Sequence, residues 1–468
     1  MTEIITGSDS NEVHQISGKL KGRDLRWVSK SSIRFFLCGF VYLTYFTSLA
    51  VIGQYLSLFF QSKGFGGKTM GMLTSIAPLT SFLLTPVWGR IMNQQRSQED
   101  SSSGRTVSLP LLYSTIIISV IFQVSVILVN DATSMMVVKT LTGIFHAPVK
   151  PLLDAFIMDH IDKSIFGKVR LFGIIGTGLG SFWGGKILLY MPSSDDKVSF
   201  MASLLSGYNL LFVLHGLLLI PTVLGMQCLR FLQDESSLTP AMSQREVPFP
   251  TSPNHNTQEI PNKSLTSYIL HDLDHIIFFL IIYVMGTSGG VSDAFTSPRF
   301  REAGLDTDHI GKSRVCSSIA GSIMFWFSSS LVEALGRENV LILSLACNSV
   351  RFALLRIMDR PLQGYLAETI RGGIFGSFWS SSTIYSSQIG PPTMRPTLLM
   401  VLNGVYNGIG RSTGSLLGGR IQAQVGTETL FGIIAMTNLS MALSAFVYQY
   451  FVRPAMKRSK DFAEHKQV

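Results

Sequence analysis

One apolar stretch of the sequence carries an acid and a base about one helical turn apart. Glu368 and Arg371 are three residues apart, which places them on one face of an α-helix. Arg351 lies in the preceding apolar stretch, and an antiparallel helix pair would bring it to a similar depth. A carboxylate beside arginines stays ionised, and it takes up a proton more readily when those cations withdraw. The spacing therefore predicts either a site that binds and releases a proton or a buried ion pair that only fixes helix register.

An earlier apolar segment carries a second group of ionisable residues on one helix face. At 100° per residue they fall within about 80° of one another. The four residues are Lys139, His146, Lys150 and Asp154. Charges at this depth usually face a bundle interior or a water-filled cavity, so the group predicts a cavity stripe. For its two ends an alternative stays open, in which Lys139 reaches the membrane surface and Asp154 pairs with Arg170 as a structural contact.

Several further residues are candidates for the same cavity or for helix packing. Trp379 shares the helix face of Glu368, and Asp293, near the outer end of its segment, either lines an entrance or is solvated there. Arg170 and Arg411 are predicted to serve packing or gating. Close helix contacts are predicted at four glycines, which are Gly180, Gly184, Gly414 and Gly418. The predicted cavity is net positive, which favours a solute with an anionic or electron-rich polar group.

The sequence offers little support for metal or cofactor chemistry. His271 and His275 are four residues apart, but a membrane di-iron enzyme needs several such clusters. No phosphate-binding loop or dinucleotide fingerprint is present. We therefore expect no metal, no cofactor and no enzymatic activity, and any uphill process must use a gradient.

The elements that position these residues must cross a membrane. Only 14% of the residues are charged, against about 25% in a typical globular protein. Six apolar runs long enough to span about 30 Å of hydrocarbon fill 34–231, and six more fill 273–452. Between them, 232–272 is rich in proline and small polar residues and predicts a flexible cytosolic linker. The prediction is an all-α membrane protein with about twelve transmembrane helices, a cytosolic N-terminal tail over 1–33 and a basic cytosolic tail over 453–468.

The distribution of basic residues sets the expected orientation. The net charge is +9, and most of the 38 lysines and arginines lie in the tails and in short loops between spans. They are more frequent in the loops that face the cytosol when both termini do, as the positive-inside rule requires. Orientation in the membrane therefore accounts for the positive charge, and no nucleic-acid partner is expected. The sequence does not identify the host membrane.

Two glycine-rich segments indicate an internal duplication. The segment Gly176–Ile187 in the fifth predicted span matches Gly410–Ile421 in the eleventh at most of its glycines and at a Lys/Arg position. Duplicated six-helix halves are typical of transporters.

The sequence resembles the major facilitator superfamily, in particular the branch with lactose permease, nucleoside–proton symporters and related eukaryotic orphan transporters. The resemblance rests on the segments Tyr55–Gly64, Gly71–Pro78, Pro148–Asp154, Arg170–Gly173 and Gly410–Gly419. It implies two pseudo-symmetric six-helix halves that rock about a midplane site, the major facilitator fold. It also supports a coupling role for Glu368, since related symporters use charged pairs on the ninth and tenth spans.

One position departs from the family pattern. Asn93 stands after the second span where members usually carry an acid. We therefore expect a secondary active transporter for a small polar organic solute of the sugar, nucleoside or organic-anion type, working by alternating access with proton symport. The alternative is a transporter-like receptor or scaffold that binds a ligand without turnover. The expected partners are the small-molecule substrate, protons and the lipid bilayer, and the chain is expected to function as a monomer.

Overall fold

The helices dominate the part of the chain that can be described. The computed structural model describes residues 32–99, 109–161, 165–191, 206–237, 272–390, 394–456 and 458. These ranges contain no β-strand. Nine helices within them are long and apolar enough to cross a membrane. The predicted N-terminal tail and most of the predicted linker and C-terminal tail lie outside the described residues.

The first half of the chain forms six helical elements. They are α1 (Ser32–Ser62), α2 (Gly67–Glu99), α3 (Leu109–Leu128), α4 in two segments (Ala132–His146 and Val149–Met158), α5 (Phe166–Tyr190) and α6 (Gly207–Ser237). The break in α4 falls at Pro148, which has no backbone N–H to continue the helical hydrogen bonds.

The second half forms six more. They are α7 (Leu273–Glu302), α8 (Thr307–Leu335), α9 (Arg337–Arg356), α10 (Pro361–Ser386), α11 (395–425) and α12 (427–456). α11 and α12 follow each other directly in the chain. Gly426 separates them, because its φ of 82° is not helical. Glycine reaches this conformation without steric cost, so the chain can reverse there. The reversal brings the Tyr448 hydroxyl within 2.6 Å of an oxygen of Asp274 at the start of α7.

Twelve helices are thus described, as the sequence predicts, but three of the predicted boundaries differ. The first half is predicted to begin at 34, whereas α1 begins at Ser32. The predicted linker begins at 232, whereas α6 continues to Ser237. The last predicted span ends at 452, whereas α12 continues to 456. Apolar runs report only the part of a helix that lies in lipid. Neither 232–237 nor 453–456 contains a glycine, and the only proline in the two segments is Pro454. Pro454 is the second residue of the short helical turn 453–456, which follows the π-helical turn Tyr448–Val452.

Polar contacts join the two halves at the end of the bundle where α5 ends and α8 begins, which we call the far end. The Thr307 hydroxyl donates to the Gly185 carbonyl (3.1 Å), Lys186 pairs with Asp308 (3.2 Å), and the Ser297 hydroxyl donates to the Gln54 carbonyl (2.6 Å). The far end lies away from the start of α1 and the end of α12.

Candidate functional site

The candidate site is built around a fully buried carboxylate on α10. This helix begins at Pro361, where the missing backbone N–H costs nothing, and Gln363 accepts a hydrogen bond from the backbone N–H of Arg360 (3.0 Å). Leu362 and Leu366 are exposed on the outer, lipid-facing side of the helix. Glu368 lies on another face and has no exposed surface.

Three arginines from three helices contact the carboxylate. Arg351 of α9 places Nη2 2.8 Å from Oε1 of Glu368. Arg314 of α8 and Arg371 of α10 place Nη1 at 3.1 and 3.2 Å from Oε2. The structure thus brings together the predicted Glu368, Arg351 and Arg371. Three guanidinium groups and one carboxylate leave a formal charge of +2.

Arg314 was missed by sequence reasoning, although a signal for it existed. It lies inside the predicted eighth span, where a basic residue is as costly as Arg351 is in the ninth. Asp308 and Lys312 precede it and make that stretch look like a polar helix end. The same argument that selected Arg351 would have selected Arg314.

Arg351 also links the cluster to α7. Its Nη2 donates to the Ser292 hydroxyl at 2.7 Å, and Ser292 contacts the Thr296 hydroxyl at 3.0 Å. The Nε of Arg351 is buried and has no hydrogen-bond partner within the described part of the chain. The cluster therefore spans α7 to α10 and retains an unused buried donor.

A second ion pair joins α7 to α11. Arg411 Nη2 contacts the carboxylate of Asp293, and its Nη1 donates to Asn407 (3.3 Å). Sequence reasoning gave Asp293 an entrance role and Arg411 a packing role, and it did not pair them. Both side chains are half-buried.

Aromatic rings line the same side of α10 as the charged cluster. Phe375 and Trp379 are stacked, with ring centroids 6.2 Å apart and planes at 14°. Trp379 meets Tyr406 of α11 at 5.5 Å. Phe375 is 46% exposed, although it lies on the opposite side of α10 from Leu362 and Leu366. It therefore borders space inside the bundle.

The four residues of the predicted stripe on α4 lie in different environments. Lys139 is buried and donates to Gln123 of α3 at 3.2 Å, so it does not reach the membrane surface. His146 is half-buried and Lys150 is exposed. Asp154 accepts a hydrogen bond from the Tyr42 hydroxyl (2.6 Å) and lies 3.8 Å from Arg170.

A buried histidine that the sequence analysis did not select lies in the same half. His215 of α6 has its Nδ1 2.7 Å from the Ser48 hydroxyl of α1. Its ring and the backbone of α6 thus connect α6 to α1 through Ser48. An isolated histidine in an apolar run gives no periodic signal, which is why it was missed.

The four predicted packing glycines lie at helix contacts. Gly180 and Gly184 of α5 face the backbone carbonyls of Thr47 and Val51 of α1, and Gly414 and Gly418 of α11 face Thr287 and Val291 of α7. Among the described residues, no three His, Cys, Asp or Glu side chains are grouped to hold a metal ion. His271 lies outside those residues, and only the backbone of Asn93, within α2, is described.

Comparison with known proteins shows one family over most of the membrane region. The model of the MFS_1 like family matches residues 37–433. The maltose permease of Geobacillus stearothermophilus is 19% identical over 397 residues, which cover 83% of this chain and 89% of the permease.

Two solved structures are similar in fold. The nucleoside transporter NupG is 14% identical with a TM-score of 0.65, and the match covers 89% of this chain and 99% of NupG. A bacterial homolog of the human lysosomal transporter Spinster, in an inward-facing, unoccupied conformation, is 12% identical with a TM-score of 0.59, covering 89% and 95%. These findings confirm the predicted fold of two six-helix halves.

Proposed function

This chain belongs to the MFS_1 like family, and we propose that it carries a small polar organic solute across its membrane by alternating access, together with a proton. The family makes it an integral multi-pass membrane transporter. The proton coupling, the substrate class and the orientation are the proposed parts.

The observation that carries the proton coupling is the single carboxylate shared by three arginines. Glu368 holds together α8, α9 and α10 through Arg314, Arg351 and its own neighbour Arg371. A small relative movement of these helices would lengthen at least one of the contacts. Losing a cation partner in a low-dielectric site favours the protonated acid, so helix movement and proton uptake are linked.

The contacts at the far end support alternating access. Lys186 of α5 and Asp308 of α8 belong to different halves and pair at 3.2 Å. Opening of the far end requires these contacts to break, and rocking of the two halves would then expose the midplane from that side. In this proposal the far end faces away from the cytosol, and both termini and the linker are cytosolic.

Residues from the first half complete the proposed substrate path. His146 and Lys150 lie on the stripe of α4, where His146 is half-buried and Lys150 is exposed. Sugars, nucleosides and organic anions all offer polar groups that such residues bind. The similar proteins named for maltose and nucleosides fall in this range. Asp154 and Asp293 are the secondary candidates for coupling, and the proposed unit is the monomer.

Uptake into proteoliposomes tests this proposal. Purified protein is reconstituted and exposed to an inward proton gradient with radiolabelled uridine, maltose or benzenesulfonate, and protein-free liposomes give the background. We expect at least one solute to accumulate above its external concentration and to leave when a protonophore is added. Saturable binding without accumulation would instead favour the receptor alternative.

A further inference from the structure

The arginine cluster contains more positive than negative charge. Removing an ion from water costs several kcal/mol unless an opposite charge compensates it. Glu368 compensates only one of the three guanidinium groups. Helix packing alone therefore does not explain why the site holds more positive than negative charge.

No other described acid near the cluster is free to supply the missing charge. The titratable groups on other helices that interact electrostatically with the cluster are Tyr55 of α1, Asp293 of α7 and Tyr406 of α11. Asp293 is already paired with Arg411. Tyrosine is neutral at physiological pH. Within the described residues the excess positive charge is therefore uncompensated, and an anionic solute could balance it.

Arg371 is the member of the cluster that a solute can reach. Its side chain is 31% exposed, whereas Arg314 and Arg351 are 6% and 3% exposed. Within the described residues, Arg371 contacts Glu368 through Nη1 only. The remaining donors of a guanidinium form a planar fork that matches the two oxygens of a carboxylate or a similar oxyanion.

A flat apolar surface adjoins Arg371 on the same helix. Phe375 lies four residues further along α10, about one helical turn away, and its exposed ring borders the interior space. Trp379 stacks behind it and fixes its plane. Aromatic rings bind other rings in stacked or edge-on geometry, so this surface suits a planar ring.

Resting on the function proposed above, we propose that the substrate is a planar organic anion with one acidic group, and that each anion crosses with one proton carried by Glu368. Arg371 binds the acidic group, and Phe375 packs against the ring. Arg314 and Arg351 remain with Glu368 and hold the site positive.

Substrate and proton are coupled because both depend on Arg371. When the anion engages Arg371, Glu368 loses part of a cation partner, and a proton from the water on the entry side binds its carboxylate more readily. On the exit side the anion leaves, Arg371 returns to Glu368, and the proton is released. One negative charge and one proton move together, so the transport step carries no net charge.

Matched acids and amides test the binding half of the proposal. Thermal stability of the purified protein is measured with benzoate against benzamide, nicotinate against nicotinamide, and benzenesulfonate against benzenesulfonamide, with benzylamine as the cation. We expect at least one acid to raise the melting temperature and its amide to have no effect. Equal stabilisation by the amides, stronger stabilisation by benzylamine, or no stabilisation by any acid would overturn it.

Two arginine variants locate the binding site. We expect Arg371→Gln to weaken binding of the stabilising acid by about tenfold to a hundredfold, the range for losing charge-assisted hydrogen bonds. Arg420→Gln is the matched control, since Arg420 is exposed and lies about two and a half helical turns beyond Arg411 on α11. Unchanged binding in a folded Arg371→Gln protein would remove Arg371 from the site. If that variant does not fold, Phe375→Ala serves instead, and unchanged binding of the acid would contradict the ring surface.

Benzenesulfonate tests the coupling half, because it stays ionised and cannot carry its own proton through lipid. Its uptake should follow the pH gradient and stay constant when valinomycin and potassium change the membrane potential. Uptake that follows the potential would contradict the one-to-one symport of anion and proton. Accumulation of uridine or maltose without binding of any acid would overturn the anion inference and leave the proposed function standing. Binding of the acids without accumulation of any solute would overturn the proposed transport and its proton coupling, and it would leave only the anion-binding site standing.

Discussion

Arg314 Nη1 lies 3.1 Å from Oε2 of Glu368, so a buried contact joins α8 to α10 at the depth where Arg351 of α9 also reaches the carboxylate. One acid is therefore the common partner of three helices in the second half. Any movement of α8 relative to α10 changes the surroundings of the same carboxylate. Glu368 thus has a structural role in joining these helices and, in the proposed mechanism, a second role in proton coupling, and mutation can separate the two.

Glu368→Ala should destabilise the protein strongly. It leaves three guanidinium groups without their carboxylate, and removing one partner of a buried ion pair costs about 3–5 kcal/mol. Glu368→Gln keeps a hydrogen-bond acceptor and should cost less. Thermal unfolding in detergent measures the difference, with Glu333→Ala, at an exposed acid on α8, as the control. Equal melting temperatures for Glu368→Ala and Glu333→Ala would show that the cluster adds nothing to stability.

Gly180→Ala should lower the folded yield. A Cβ at Gly180 would lie closer than 3.0 Å to the backbone carbonyl of Thr47, and a backbone atom cannot move aside cheaply. Overpacking of this kind costs about 1–3 kcal/mol. Gly167→Ala on the same helix is the control, because no heavy atom lies within 4 Å of its added Cβ. Size-exclusion yield and melting temperature should fall for Gly180→Ala only, and equal values would contradict the close packing.

Residues on one helix, or on two consecutive helices, could be grouped from the sequence. Glu368 and Arg371 share a face of α10, and the short connection before Pro361 makes it natural that Arg351 returns to the same depth. The apolar runs likewise predicted twelve spans. These inferences need only helix geometry and the length of hydrophobic runs.

Contacts between distant helices could not be derived in this way. Asp293 and Arg411 are 118 positions apart, and their pairing depends on how α7 packs against α11. Arg314 meets Glu368 only because α8 and α10 are neighbours, and His215 meets Ser48 only because α6 packs on α1. Periodicity gives the face of a helix, but it does not give the helix that faces it.

Asp308→Asn should favour opening of the far end. Asp308 contacts Lys186 of the other half at 3.2 Å and Lys312 at 2.6 Å, and the amide cannot form these ion pairs. A contact of this kind is worth up to about 1 kcal/mol, which is roughly a fivefold change in the ratio of closed to open molecules. Spin labels at Tyr190 of α5 and at Arg360 before α10, both exposed, should give a larger population of long distances by double electron–electron resonance. Asp359→Asn is the control, and the idea fails if the two variants give the same distances.

A cysteine placed at Ser252 should be protected from reagents on the far side. Ser252 belongs to the predicted linker and lies outside the described residues. The excess of basic residues in the loops on its side predicts a cytosolic location. In a variant without the four native cysteines, a membrane-impermeant maleimide applied to sealed vesicles with the far side outward should label Tyr190→Cys and not Ser252→Cys until detergent is added. Labelling of Ser252→Cys in sealed vesicles would show that the linker lies on the same side as the far end, which contradicts the predicted topology.

The role of Glu368 in proton coupling is the central claim, and Glu368→Gln measures it most directly. The glutamine cannot exchange a proton, but it keeps the size and polarity of the side chain, so the halves can still rock around a bound solute. In proteoliposomes, with the solute that the wild-type protein accumulates, we expect Glu368→Gln to exchange internal for external solute and to show no accumulation under a proton gradient. Full proton-driven accumulation in a folded Glu368→Gln protein would contradict the account and leave Asp154 or Asp293 as the coupling acid.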